Sequence, residues 1–297
     1  MNLRYLASLF LLVVWLLGCR ESAAVRRGGV PDPPPASAPQ ALENTKTVGI
    51  VFSKETSLSY QGYTATKLQK TVNVEGIKTV VSYAVLKKGE HAVANFDGLY
   101  HPAGNTTQFG LFSFLGREPK QLVVEQAIPR NWRHWIVTLS TDAQVIFDSA
   151  DFGVDGELLA FDVNNDGIYE FSKTLTAFYT FENLPSSEAP LIDILFKYDE
   201  NAGKYLPANH VFQDRALKGI EDEIRNVHSN DERKFLSNVL RIVFRYVYAG
   251  KEQEGWAFYD NAYQLPNKSN VRSKVLDRLG NEPVYNFIYA KSQNNPG

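Results

Sequence analysis

The sequence predicts an α+β protein: an antiparallel β-rich domain, built as a sandwich, a barrel or a partial propeller, followed by a small α-helical region. Three observations carry this. From residue 47 to 212, short alternating or wholly apolar segments recur roughly every ten residues, with turn residues between them. After Phe212 the apolar period lengthens from the two of a strand to the ~3.6 of a helix. Between two strand-like runs lies Asp162-Val163-Asn164-Asn165-Asp166-Gly167-Ile168-Tyr169-Glu170, dense in side-chain oxygen and carrying a turn glycine. The pattern divides the chain into 1–18, 19–46, 47–212 and 213–297.

The first of these segments opens with Arg4 and then an apolar run from Leu6 to Leu17. A spanning helix needs about 20 apolar residues, so the run has the length of a signal peptide. It ends Leu16-Leu17-Gly18-Cys19, which resembles the lipobox of bacterial lipoprotein precursors. That resemblance implies lipid attached to Cys19, removal of residues 1–18, and a mature protein anchored to a membrane rather than crossing it. Arg20 stands where aspartate retains such proteins at the inner membrane, so the outer membrane is favoured within the envelope. An ordinary signal peptide is the alternative. Cys19 is the one cysteine of the chain, so the fold has no intramolecular disulfide to draw on. Residues 19–46, with Pro31, Pro33, Pro34, Pro35 and Pro39, read as a Pro/Ala-rich linker.

Composition then excludes one class of partner. A formal net charge of −2, with lysine and arginine spread along the chain, gives no basic stripe for nucleic acid. Fifteen tyrosines and eighteen phenylalanines suit pleated, half-buried surfaces.

Strands are expected at Val48 to Ser53, Ile77 to Leu86, His91 to Phe96, Phe109 to Leu115 and Gln121 to Gln126. In the second, Ile77, Thr79, Val81, Tyr83 and Val85 share one face. Trp132 to Leu139 and Gln144 to Asp148 form a hairpin through Ser140-Thr141-Asp142. Glu157 to Phe161, Ile168 to Tyr179, Leu191 to Tyr198 and Lys204 to Leu206 complete the set, the last two joined at Asp199-Glu200-Asn201-Ala202-Gly203.

The loop at 162–170 has the spacing of a calcium site. Calcium takes about six to eight oxygens, so alternate residues must converge before a sharp turn. Asp162, Asn164 and Asp166 hold positions 1, 3 and 5, Gly167 the turn, the Ile168 carbonyl position 7 and Glu170 position 9. Lys173 at position 12 and flanking strands exclude an EF-hand. The run Phe152-Gly153 … Leu158 to Phe171 resembles an FG-GAP repeat of integrin-type propellers. The resemblance implies calcium held between two strands, in a structural role. It covers about 20 residues in one copy, with Glu170 where aspartate is usual. An Asn/Asp/Gly turn capped by its own side chains is the other reading.

Past Phe212, helical spacing links Ala216, Ile220, Ile224 and Val227. A clear stripe follows in Leu236, Val239, Leu240, Val243, Phe244 and Val247, started by Ser229-Asn230-Asp231 and ended by Gly250. Trp256, Tyr259 and Tyr263 mark another helix, and Val271, Val275, Leu276 and Leu279 a further one. A last one is expected from Asn281 to Tyr289, with Pro283 in its first turn.

No Gly-x-Ser-x-Gly elbow, His-Glu-x-x-His, phosphate loop or dinucleotide fingerprint occurs. His91, His101, His134, His210 and His228 are scattered, and His134 reads as a packed or surface residue. No catalytic residue is assigned. The expectation is a non-enzymatic, calcium-steadied envelope lipoprotein that binds an envelope protein or a glycan. The alternative is an extracytoplasmic hydrolase, glycan-directed, using carboxylates of the β domain such as Asp193.

Overall fold

A computed structural model describes residues 48–293, Asn183 excepted. The expected signal segment, Cys19 and the linker lie outside the described residues. The rest is α+β, as the periodicities predict: three antiparallel sheets, then helices. The helix-side sheet runs β1 (Val48–Gly49), β11 (Val154–Phe161), β12 (Glu170–Leu175), β13 (Asp193–Asp199), β14 (Lys204–Pro207). The central sheet runs β10 (Ala143–Asp148), β9 (Asn131–Leu139), β8 (Gln121–Ile128), β7 (Thr106–Phe112), β2 (Phe52–Ser53). The outer sheet runs β3 (Ser57–Tyr60), β4 (Tyr63–Val74), β5 (Ile77–Lys88), β6 (His91–Phe96). None of the three closes on itself, so among the expected β architectures the chain adopts stacked sheets rather than a barrel.

The central sheet is buried on both faces. From β8, Leu122 and Val124 enter one core with Tyr63, Ala65, Ala84, Leu86 and Phe96 of the outer sheet. Val123 points the other way and, with Ile136, meets Ala160, Phe171, Ile194 and Phe196 of the helix-side sheet. This is why β8 is buried without a break from Gln121 to Gln126 instead of alternating between buried and exposed. Each fully buried valine or leucine contributes about 1.5–3 kcal/mol.

The helices are α1 (Gln213–Ala216), α2 (Ile220–Arg225), α3 (Glu232–Tyr248), α4 (Glu252–Ala262), α5 (Lys268–Gly280) and α6 (Pro283–Gln293). The Asp231 carboxylate accepts from the Arg233 and Lys234 N–H groups and starts α3, and Gly250 follows its end at φ 78°. All six residues of the expected α3 stripe are buried. Phe244 meets Phe178 with ring centroids 4.1 Å apart, so helices and helix-side sheet share one core. The described residues fall within one compact unit. Among the described residues no helix is long and apolar enough to cross a membrane.

Several local expectations are corrected. Val48 to Ser53 is two short strands in two different sheets. In β5 the buried face is Thr79 and Val81, then shifts to Ser82, Ala84 and Leu86, and Ile77 is exposed. The shift follows from the partners: Ser82 is anchored by Asn105 and Thr107, which sets the small side chains toward the central sheet. β12 stops at Leu175, because Thr176 turns its N–H and hydroxyl onto the Gly153 carbonyl. Ala216 to Val227 is broken into α1 and α2 at Gly219, which sits at φ 76°. The long hairpin partner β4 was not expected at all.

Candidate functional site

Phe161 pairs with Glu170 across β11 and β12, so residues 162–169 form the loop of a hairpin. Asn165 (φ 58°) and Gly167 (φ 82°) take the left-handed backbone that reverses the chain. Asp162 accepts from the N–H groups of Asp166 (3.1 Å) and Gly167 (2.9 Å). Asp166 accepts from the Ile168 N–H (2.8 Å) and from the Asn164 amide (2.7 Å). The loop is held down from outside as well. Tyr169 N–H donates to the Phe114 carbonyl, and the Tyr205 hydroxyl donates to the Tyr169 carbonyl. A Cβ on Gly116 would stand 2.0 Å from the Gly167 oxygen, so only glycine permits this approach.

The structure therefore brings Asp162, Asn164, Asp166, Ile168 and Glu170 into one loop. Among the described residues, no three His, Cys, Asp or Glu side chains converge into a ready metal cage. Asp162 and Asp166 spend their oxygens on the loop's own N–H groups, and to hold an ion they must share the remaining lone pairs. Glu170 is different. It is fully buried, its Oε2 accepts from the Val163 N–H at 2.9 Å, and its Oε1 is buried with no hydrogen-bond partner. Burial, joined by the nearby Asp166 carboxylate, raises its pKa above the ordinary range. An unpartnered buried acceptor costs about 1–3 kcal/mol, which a cation at the mouth of the loop would offset. On that atom and the all-oxygen donor set, the residues fit calcium.

A second polar cluster escaped the sequence reading. His134 of β9 is fully buried between the central and helix-side sheets, beside Glu125 of β8 and Lys173 of β12. Its Nε2 lies 2.9 Å from Glu125 Oε2, and its Nδ1 lies 2.9 Å from Lys173 Nζ. Burial raises the Glu125 pKa, but hydrogen bonds from His134 and Gln108 outweigh it and hold the carboxyl below its ordinary value. An ionised carboxylate only accepts, so His134 donates from Nε2, and Nδ1 accepts from Lys173. Lys173 also donates to the Gly156 carbonyl. Burial depresses His134 to about 4 and Lys173 to about 7. Glutamate, imidazole and amine in a row have the composition of a proton relay. All three are buried, and neither the cavity of about 510 Å³ nor the one of about 520 Å³ is lined by any of them. Lys173 is the residue whose position excluded an EF-hand. A lysine inside the apolar register of Phe171 and Leu175 was the available signal.

Carboxylates do meet at a cavity of about 520 Å³ between β6, β9 and β14, lined by Asp97, Asp148 and Asp151 with Trp135 and Phe152. Asp148 is fully engaged: Arg133 grips both its oxygens, and Trp135 Nε1 and the Ala150 N–H donate to it. Asp97 pairs with Lys70 and leaves its Oδ1 buried without a partner. Burial and Asp148 together raise Asp151 above its ordinary pKa. Asp193, the candidate carboxylate of the hydrolase alternative, is exposed on β13 and accepts from the Thr174 hydroxyl at 2.8 Å.

No family model, no curated protein and no solved structure matches the chain.

Proposed function

We propose that this protein is a non-enzymatic binding module, tethered to the bacterial envelope through lipid on Cys19 and steadied by a calcium ion in the 162–170 loop. The observation that carries the metal is the buried, unpartnered Oε1 of Glu170, whose Oε2 accepts from the Val163 N–H of that loop. Calcium would be held by the side chains of Asp162, Asn164, Asp166 and Glu170 with the Ile168 carbonyl. Its work there is structural, fixing the turn between β11 and β12 against Phe114 and Tyr205. The tether rests on the Leu16-Leu17-Gly18-Cys19 resemblance. The partner class is an envelope protein or glycan, and the outer membrane is the favoured anchor.

The test is calorimetry and thermal melting of the chelator-stripped protein in mild detergent. One calcium site is expected, with a stability gain of about 2.7 kcal/mol at a hundredfold excess over Kd. Asp166→Ala and Glu170→Gln should each abolish both signals. No heat, no rise in Tm, and Asp166→Ala melting like wild type would overturn the metal reading. Cys19→Ser should lose incorporation of labelled palmitate.

A second reading, a glycan-directed hydrolase, is favoured by the aspartates around the 520 Å³ cavity. Against it, Asp148 has spent its acceptors on Arg133 and Trp135 and is not free to act as base, and Asp97 is ion-paired with Lys70. Glycan cleavage lost in Asp151→Asn would reverse the preference.

A further inference from the structure

The outer face of the helix-side sheet does not sit flush against the helices. A cavity of about 510 Å³ lies between them, a size ordinary for small-molecule sites. Its sheet wall includes Leu159 and Phe161 of β11, Ser172 of β12 and Leu195 of β13; its helix wall includes Phe212 and three arginines. Two of those arginines are already committed. Arg241 and Arg245 both pair with Glu223, and Arg245 also donates to the Ala216 and Lys218 carbonyls, pinning the α1–α2 turn onto α3.

Arg215 is not committed. Its guanidinium stacks over Phe161 at 4.1 Å from the ring centroid, half-buried in the cavity wall. Among the described residues it makes no hydrogen bond to a protein acceptor and no ion pair, although it carries the forked donor set that matches a carboxylate. Burial disfavours its charge, and the Glu170 carboxylate acts on it only through space, without a hydrogen bond, so its donor fork is left unused in the wall. The same cavity exposes apolar surface: Leu159 is 43% and Leu191 45% exposed at its rim.

We propose that this cavity binds a small monocarboxylate with an apolar body. The carboxylate sits on the Arg215 fork beside the Ser172 hydroxyl, and the body lies along Leu159, Leu191 and Phe212. A dianion suits the site less well, because the Glu223 and Asp193 carboxylates also line it and Glu170 already acts on Arg215. The inference rests on the binding-module reading and gives that module a ligand class; it does not depend on calcium.

The experiment is isothermal titration of the whole protein, in non-ionic detergent, with three probes of equal body: 4-phenylbutyrate, 4-phenylbutanol and 4-phenylbutyl phosphate. The carboxylate should bind at least about tenfold more tightly than the alcohol, the fold-change of one charge-assisted hydrogen-bond pair. Arg215→Gln should bring the carboxylate down to the alcohol's affinity, Arg215→Lys should fall between, and Leu159→Asp should weaken both. Circular dichroism and thermal melting of each variant check that it is folded. Equal binding of carboxylate and alcohol, tightest binding of the phosphate, absence of binding, or an Arg215→Gln variant indistinguishable from wild type would each overturn the proposal. If the probes fail while the tethered protein still captures an envelope partner, the binding-module reading stands and the cavity assignment falls.

Discussion

Lys173→Met should change how stability depends on pH, by an amount the structure fixes. In the folded protein Lys173 gives up its proton near pH 7, while in the unfolded chain it holds it to about 10.5. Between those values the unfolded state binds the extra proton, so wild-type stability rises with pH and is lost as pH falls toward 7. One proton corresponds to about 1.4 kcal/mol per pH unit, hence about 2 kcal/mol between pH 8 and 9.5. Glu125 stays ionised and His134 neutral across that window, so neither obscures the slope. Methionine fills the volume without a titrating group. It also leaves His134 Nδ1 and the Gly156 carbonyl without their donor, so absolute stability drops; the slope is the diagnostic quantity. Guanidinium unfolding followed by tryptophan fluorescence at pH 8, 8.5, 9 and 9.5 measures it. Wild type should gain about 2 kcal/mol on the variant across the series. Parallel profiles would show that Lys173 keeps its proton in the fold, and the buried row would then hold a charged Lys173 with the Glu125 carboxylate rather than a neutral amine.

Two further outcomes follow from neighbouring features. His134 is depressed to about 4 from 6.5, so its contribution is present above pH 6.5 and lost as pH falls toward 4; replacing it with leucine should remove about 3 kcal/mol of acid sensitivity in that interval, read from unfolding midpoints at pH 4.5 to 7. Gly116→Ala places a Cβ 2.0 Å from the Gly167 oxygen at a φ of +67°. It should cost about 2–4 kcal/mol and weaken calcium binding at the loop, measured by melting and calorimetry on the same sample.

The parts of the fold that were legible are those whose information is local. The α3 stripe and its Asp231 cap lie within one helix, and the hairpin of β9 and β10 lies within some twenty residues, so periodicity and turn chemistry located both. β4 was invisible because Thr64 to Val74 alternates among threonine, lysine, glutamine and valine, and only Tyr63 and Ala65 reach a core. The side-chain oxygens of the metal-type loop were legible for the same local reason, while the orphaned Glu170 atom depends on how β12 is covered. Glu125, His134 and Lys173 come from three strands in two sheets, with 39 residues between the histidine and the lysine. The β8–β9 hairpin sets Glu125 opposite His134, and only the stacking of the sheets brings Lys173 to them. Arg215 was unremarkable in sequence for a like reason: its lack of partners is a property of the cavity and not of the residues beside it.

The split of Val48 to Ser53 between two sheets has a mechanical consequence. Val48 and Gly49 hydrogen-bond to β11, and three residues later Phe52 and Ser53 hydrogen-bond to β7, so one short piece of chain clasps the two layers. Tension arriving from the N-terminal side reaches this clasp first. Each half is two residues long, so it peels a rung at a time, while the long pairing of β8 with β9 behind it remains unloaded. The clasp thus behaves as a fuse between whatever pulls on the chain and the stacked sheets it leads into.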